Sequence, residues 1–371
     1  MGYLRIHPAA VRILQGHTQR IDSMDIHQEA RNLRKELEEM DNTTIRVAFF
    51  GQPGAGKSSL INKILGREEA KVSVRTDTTV VAARYSTPSV PGVELYDLPG
   101  YGTSHFPKDS YFEKFKIDTF DLYVCVTSDK LVQADTEFFR YLTSHGRQCI
   151  FVFNKHDQLW QPGMTPGELE THKTRDIRQQ VGREVDVIYT SCRPDANGQF
   201  KGIDELMEAI HRRLEDAKGD RWDRSVKARS SEALERKREA SKRRVATAAA
   251  AAAINGAVNI IPAADIAVDV TIINNMRAEI RQSFGLTEED TKDFDRENGI
   301  LSINGLASLA KSLVKHGPAY LSKYTPPRFI PILGNIINGT LALAACTSAG
   351  NYYVDACYTI AADRLAQQLK R

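Results

Sequence analysis

GQPGAGKS, residues 51–58, fits the pattern G-x-x-x-x-G-K-[ST]. The pattern carries phosphate chemistry only when a strand leads into it and a helix leads out. TIRVAFF (44–50) precedes it, and its β-branched and aromatic residues predict a buried strand. SSLINKILG (58–66) follows and predicts a helix that ends at Gly66. In that setting backbone N–H groups of the glycine-rich loop cradle phosphate oxygens, Lys57 reaches the β- and γ-phosphates, and Ser58 ligates Mg2+. The candidate nucleotide contacts are therefore Gly51, Gly54, Ala55, Gly56, Lys57, Ser58 and Ser59. Alone, the motif leaves the base of the nucleotide open.

Outward from this loop, further strands are predicted at 80–86, 93–98, 120–127, 147–154 and 185–191, with helices at 108–117, 132–145, 166–182 and 202–217. Alternation of near-continuous apolar strands with helices predicts a mostly parallel sheet covered on both faces, an α/β P-loop domain. After about residue 218 no strand pattern follows, and the remainder predicts an all-α domain. In RIDSMDIHQEARNLRKELEEM (20–40), Leu33, Leu37 and Met40 fall at helical spacing. The expected layout is an N-terminal helical segment (1–43), a nucleotide-binding domain (44–218) and a C-terminal helical domain (219–371).

Three more motifs end predicted strands, and together they name the base. Asp97-Leu98-Pro99-Gly100 follows VELY; Asp97 can hold a Mg2+-bound water and the Gly100 N–H can contact a γ-phosphate. NKHD (154–157) closes QCIFVF. The Asp157 carboxylate can accept both guanine N1–H and the 2-amino group, a donor pair that adenine lacks. Asn154 braces the loop and the Lys155 stem packs over the base. TSCR (190–193) follows a further strand, and a backbone N–H near Ser191 or Cys192 can donate to guanine O6. The substrate and product expected are GTP and GDP. A threonine in REEAKVSVRTDTTVV is expected to complete the Mg2+ shell, with Thr79 first and Thr78 and Thr76 as rivals. Lys57, Thr79 and Gly100 are the candidate catalytic residues. Tyr101 stands where many GTP-hydrolysing proteins carry a glutamine that orients the attacking water. Its presence sends the search for that group elsewhere, to Glu68, Glu69 or Asp77, to a backbone group, or to a facing protomer.

The 371 residues suffice for two or three domains, with 42% hydrophobic and 26% charged residues and a net charge of +3. That charge is too small to point to nucleic acid, which is not an expected partner. Five widely spaced cysteines without C-x-x-C predict reduced thiols in a cytoplasmic protein. The chain begins Met-Gly, but Ile6 stands where a myristoylation motif needs Ser or Thr. Residues 221–244 hold ten Lys/Arg against four Asp/Glu. The pairs Glu232/Arg236 and Glu239/Arg243 favour a solvated helix face, with lipid contact left to the excess charge. Segments 245–264 and 329–354 carry no charge. Their asparagines, threonines and small residues favour central helices of the helical domain over membrane spans. The Ile261-Pro262 and Ile330-Pro331 tips are candidates for nucleotide-driven lipid insertion.

With these residues placed, the chain resembles the immunity-related (interferon-inducible) GTPases of the dynamin-like group. The likeness is carried by GAGKSSLIN (54–62) and by DLPGYGTSHFPKDSYFEKFKIDTFDLYVCVTS (97–128), with Phe106-Pro107, Tyr111 and Lys114, and Phe120-Asp121 entering a strand. It covers roughly residues 45–215. NKHD replaces the Thr-Lys-x-Asp form that vertebrate members often carry, which suggests a distant or bacterial-type member. The resemblance implies GTP hydrolysis that is slow and stimulated when G domains pair. It further implies self-assembly as a homodimer or higher assembly, a helical domain built from both chain ends, and a peripheral link to a membrane surface. Two other readings are an RNA- or ribosome-associated GTPase of the Era type, and a nucleotide-binding scaffold with negligible hydrolysis.

Overall fold

A computed structural model describes residues 23–66, 82–86, 92–102, 107–129, 131–214, 216–258, 269–299, 301–316 and 339–369. The chain divides into two compact units, one formed by 43–233 with 365–371 and the other by 1–42 with 234–364.

In the first unit β1 (Ile45–Phe50), β2 (Ala83–Ser86), β3 (Val93–Asp97), β4 (Leu122–Thr127), β5 (Cys149–Phe153) and β6 (Val187–Tyr189) form one sheet in the order β2-β3-β1-β4-β5-β6. All pairings are parallel except that of β2 with β3. Helices α2 (Lys57–Leu65), α3 (Lys108–Lys114), α4 (Gln133–Ser144), α5 (Pro166–Val181), α6 (Ile203–Arg213) and α7 (Asp216–Ser225) complete the unit; α1 is Ser23–Asn42 of the second unit. The fold is the mostly parallel, helix-covered sheet expected of the strand and helix pattern.

The period of two in a strand builds two cores. Ile45, Val47 and Phe49 of β1 join Leu60, Ile64, Leu206 and Ile210. Ala48 and Phe50 join Tyr111, Tyr123, Phe138 and Phe151 on the opposite face. Every residue of β4 is buried, as expected where helices close both faces. β1 lies between β3 and β4, so the strand order reverses beside it, where an open α/β sheet leaves a crevice at its carboxyl ends.

The unit runs past the boundary read near residue 218. That boundary followed the end of the strand pattern, but Trp222 of α7 is fully buried and donates its indole N–H to Met207 O at 3.1 Å. Trp222 and Val226 belong to the same core as β1, and the apolar anchors outweigh the charges around them.

The second unit contains α1, α8 (Ser231–Val258, whose first residues belong to the other unit), α9 (Val270–Ser283), α10 (Glu288–Asn298), α11 (Ile303–His316) and α12 (Gly339–Leu369, whose last residues belong to the other unit). Leu33 and Leu37 of α1 are buried. Arg244 of α8 donates to both carboxylate oxygens of Asp41 at 3.2 and 3.0 Å and meets Glu279 at 3.0 Å. Ala248 through Ile254 are fully buried. Their small side chains permit close helix approach: a Cβ added to Gly350 of α12 would lie 2.5 Å from Val245 of α8.

The basic run 221–244 corrects the solvated-face reading. Arg221, Arg224, Lys237 and Arg244 are all at most 5% exposed, while Arg238 and Lys242 share the Asp355 carboxylate at 2.7 and 3.0 Å. Spacing within one helix cannot show the carboxylates that other helices bring. Among the described residues no helix is long and apolar enough to cross a membrane. Both Ile-Pro tips lie outside the described residues.

Candidate functional site

The crevice site begins where β1 turns. Gly51 sits at φ 136°, and a Cβ there would fall 2.0 Å from Val126 O of β4. Gly56, at φ 93°, would drive a Cβ to 2.2 Å from the Asn154 side chain. Only glycine fits both positions, which lets the loop lie flat against β4 and β5. Gly56 also caps α2, with no side chain covering the first N–H groups, so the helix start is left as a site for an anion.

Lys57 is buried, and its ammonium donates to the Gly51 and Gln52 carbonyls at 2.8 and 3.3 Å. Burial lowers its pKa, and the nearby charges of Asp97 and Asp135 oppose that shift. Phe49 of β1 pairs in register with Asp97 of β3, and Leu98 N–H donates to Phe49 O at 2.9 Å. This register sets the DLPG loop beside the phosphate loop. The Ser58 hydroxyl donates to Asp97 Oδ2, while Asp97 Oδ1 is buried without a hydrogen bond. Burial raises the Asp97 pKa, opposed by Lys57 and by the Ser58 hydrogen bond. A hydroxyl touching a carboxylate that has an unused buried oxygen is a hard-oxygen donor set, and it fits a magnesium ion.

The base end is assembled by Asn154. Its Nδ2 donates to Ala55 O at 3.0 Å, and its Oδ1 accepts from Thr190 Oγ1 at 3.0 Å and from the Cys192 thiol at 3.8 Å. One buried amide thus ties the phosphate loop to the loop after β6. Lys155 turns the chain at φ 58°, and the Ser191 hydroxyl lies 3.0 Å from Asp157 Oδ1, with Arg193 3.5 Å from Oδ2.

The structure therefore brings together Gly51, Gly54, Ala55, Gly56, Lys57, Ser58 and Asp97 at one end, and Asn154, Lys155, Asp157, Ser191 and Cys192 at the other. Ser59 lies in the first turn of α2, and Gly100 is buried in the DLPG loop. Thr79, its rivals Thr76 and Thr78, and Glu68, Glu69 and Asp77 lie outside the described residues. Tyr101 is packed into an aromatic cluster, stacked on Phe138 at 4.8 Å and edge-on to Tyr111 at 5.1 Å. The Tyr111 hydroxyl donates to Pro99 O at 2.6 Å.

Sequence reasoning missed Asp135 and Gln52. Gln52 Nε2 donates to Asp135 Oδ1 at 3.0 Å, and Asp135 is buried in the first turn of α4. Burial pushes its carboxyl up to about 6, against the pull of Gln52 and Lys57. An acidic residue in a first helical turn reads as ordinary capping, so only the fold reveals its partner.

The model of the family Interferon-inducible GTPase (IIGP) matches residues 10–305. The chain belongs to this family. Among relatives, mouse Interferon-inducible GTPase 1 is 32% identical over 126 residues, covering 33% of this chain and 30% of the relative. Bovine Interferon-inducible GTPase 5 is 28% identical over 286 residues, covering 72% and 60%. The chain thus spans less than two thirds of the length of both. A crystal structure of Aquifex aeolicus Era bound to GDP.AlF4- aligns at 20% identity and a TM-score of 0.37, covering 47% of this chain and 57% of that one.

Proposed function

We propose that this member of the interferon-inducible GTPase family binds GTP and GDP in the crevice and hydrolyses GTP, with self-association supplying part of the catalytic machinery. The observation that carries the reading is Asn154, whose single amide joins the phosphate loop at Ala55 to the Thr190–Cys192 loop. A nucleotide spanning the two would meet Lys57 and the open start of α2 at its phosphates. At its base it would meet Asp157, which selects guanine through the N1–H and 2-amino donors. Ser58, Asp97 and Thr79 would hold Mg2+, which supplies charge neutralisation on the β- and γ-phosphates. Lys57 and the Gly100 N–H then face the charge that builds on the transferring phosphoryl group.

Pairing is proposed because Tyr101 is committed to the aromatic cluster, away from the role a glutamine fills after DLPG. The group that orients water then comes from the segment holding Glu68, Glu69 and Asp77, from a backbone group, or from a second copy. Steady-state hydrolysis measured against protein concentration tests this. Rate per molecule rising with concentration supports pairing, and a flat, near-zero rate supports a nucleotide-binding scaffold. A peripheral membrane link rests on family membership alone, and nucleotide-dependent flotation on liposomes is its test. The RNA reading rested on the basic run 221–244, where Arg221, Arg224, Lys237 and Arg244 are buried and so withdrawn from solvent.

A further inference from the structure

We propose that Asp135 is a positioning residue of the phosphate loop, gripping Gln52 from α4 and through it holding the carbonyls that aim Lys57. The proposal rests on the nucleotide-site reading above and adds to it a residue outside every motif.

The geometry forms a short chain of contacts. Asp135 Oδ1 accepts from Gln52 Nε2 at 3.0 Å. The carbonyls of Gln52 and its neighbour Gly51 are the two acceptors of the Lys57 ammonium. Gln52 is thus held by its side chain on one side and loaded at its carbonyl by Lys57 on the other. Asp135 is 2% exposed, so its bond to Gln52 meets little competition from water.

Three features argue that this grip serves the loop and is more than a helix cap. Val132 caps α4 and offers no side-chain hydrogen bond, so a carboxylate in the first turn has its own helix N–H groups to serve. Asp135 instead reaches 83 residues back along the chain. The loop is otherwise held by Asn154 at Ala55, which leaves its leading residues to Asp135. Finally, the Lys57 charge is shared between Asp97 and Asp135; Asp97 is already engaged by Ser58, and Asp135 lies on the opposite partner, Gln52.

A loop that must be ordered before phosphate can bind costs affinity for GTP and GDP alike. Asp135 acts through the carbonyls that aim Lys57, so its loss should lower nucleotide affinity and, because Lys57 also faces the transferring phosphoryl group, slow the hydrolysis of bound GTP.

The test uses the full chain without nucleotide and reads amide hydrogen exchange across residues 49–58 in Asp135→Leu, Asp135→Asn and Gln52→Leu proteins. Asp135→Leu should speed exchange in this loop about tenfold or more, the scale expected for losing a charge-assisted hydrogen bond. Asp135→Asn keeps one acceptor oxygen and should stay within about threefold of wild type. The double variant Asp135→Leu/Gln52→Leu should be no faster than Asp135→Leu alone, because both remove one contact. Affinity for a fluorescent GDP should fall in step with loop exchange. Unchanged loop exchange in Asp135→Leu, additive effects in the double variant, or acceleration spread evenly over the whole sheet would each overturn the proposal. Should Asp135→Leu fail to fold, Gln52→Leu decides, and unaltered exchange there overturns it. A wild type that binds no guanine nucleotide would sink the functional reading alone, since loop exchange is read without nucleotide.

Discussion

The two ends of the crevice are built by different physics. At the phosphate end, buried ionisable groups crowd together: Lys57, Asp97 and Asp135 are each at most 7% exposed, and the loop between them is bent at glycines no other residue could replace. At the base end, a neutral buried amide, Asn154, does the joining, and Asp157 presents a carboxylate beside Ser191. Charge concentrated in low dielectric gives large energies and large penalties. Neutral hydrogen bonds at a more open edge give smaller energies and selectivity. The difference teaches that affinity should reside at one end and base choice at the other, and substitutions can pull the two apart.

The largest effect is expected from Lys57→Ala. It removes the ammonium that donates to the Gly51 and Gln52 carbonyls of the phosphate loop, and GTP and GDP affinity should fall roughly a thousandfold, about 4 kcal/mol, in a fluorescent-nucleotide titration. Near-wild-type binding would mean that the phosphate end is not where affinity is generated.

Asp157→Ala comes next and acts on the other end. Preference for GTP over ATP should drop by about a hundredfold, near 3 kcal/mol, while total affinity for phosphates survives. A competition titration reads both numbers. A variant that still prefers GTP strongly would break the assignment of base choice to this loop.

The third prediction uses pH. Burial raises the folded-state carboxyl of Asp135 from 3.8 to about 6. A raised carboxyl binds its proton more tightly in the folded state, so folding is favoured at low pH and that advantage is lost as pH climbs from about 4 to 6. Above that window the buried charge persists as a penalty of order 2–3 kcal/mol. Asp135→Asn carries no such charge. Its stability relative to wild type should therefore rise between pH 4 and 6 and level off above, as denaturant midpoints will show. A difference that does not vary with pH would mean that water reaches the carboxylate.

These predictions divide along the same line as what could be read from the chain. The site motifs were legible because phosphate and guanine chemistry dictate residue types at fixed spacing, and the strand and helix periods placed each motif at a strand end. Gly51, Gly56, Lys57 and Asn154 announce themselves in this way. Asp135 and Trp222 do not. An acid in a first helical turn acquires meaning only from Gln52, brought to it from 83 residues away, and a tryptophan in a charged stretch only from Met207 on the preceding helix. The basic run 221–244 misled for the same reason, since Asp41, Glu279 and Asp355 lie far from it in sequence.

Tyr101 supplies the smallest expected effect and the sharpest use of the comparison. It follows the DLPG motif at the phosphate end, yet its ring belongs to the aromatic cluster with Tyr111, Phe112 and Phe138. If the ring is what matters, Tyr101→Phe keeps the stack on Phe138 and should cost no more than about 1 kcal/mol, the scale of one hydroxyl hydrogen bond. Hydrolysis by Tyr101→Phe should stay within about twofold of wild type, because the ring is packed at 7% exposure against Phe138 and Tyr111. Tyr101→Ala, by contrast, opens a cavity among three aromatic rings and should cost about 3–5 kcal/mol. Should Tyr101→Phe instead lose hydrolysis while holding nucleotide and stability, the phenol hydroxyl would be part of the chemistry, and the case for a water-orienting group from elsewhere would fall with it.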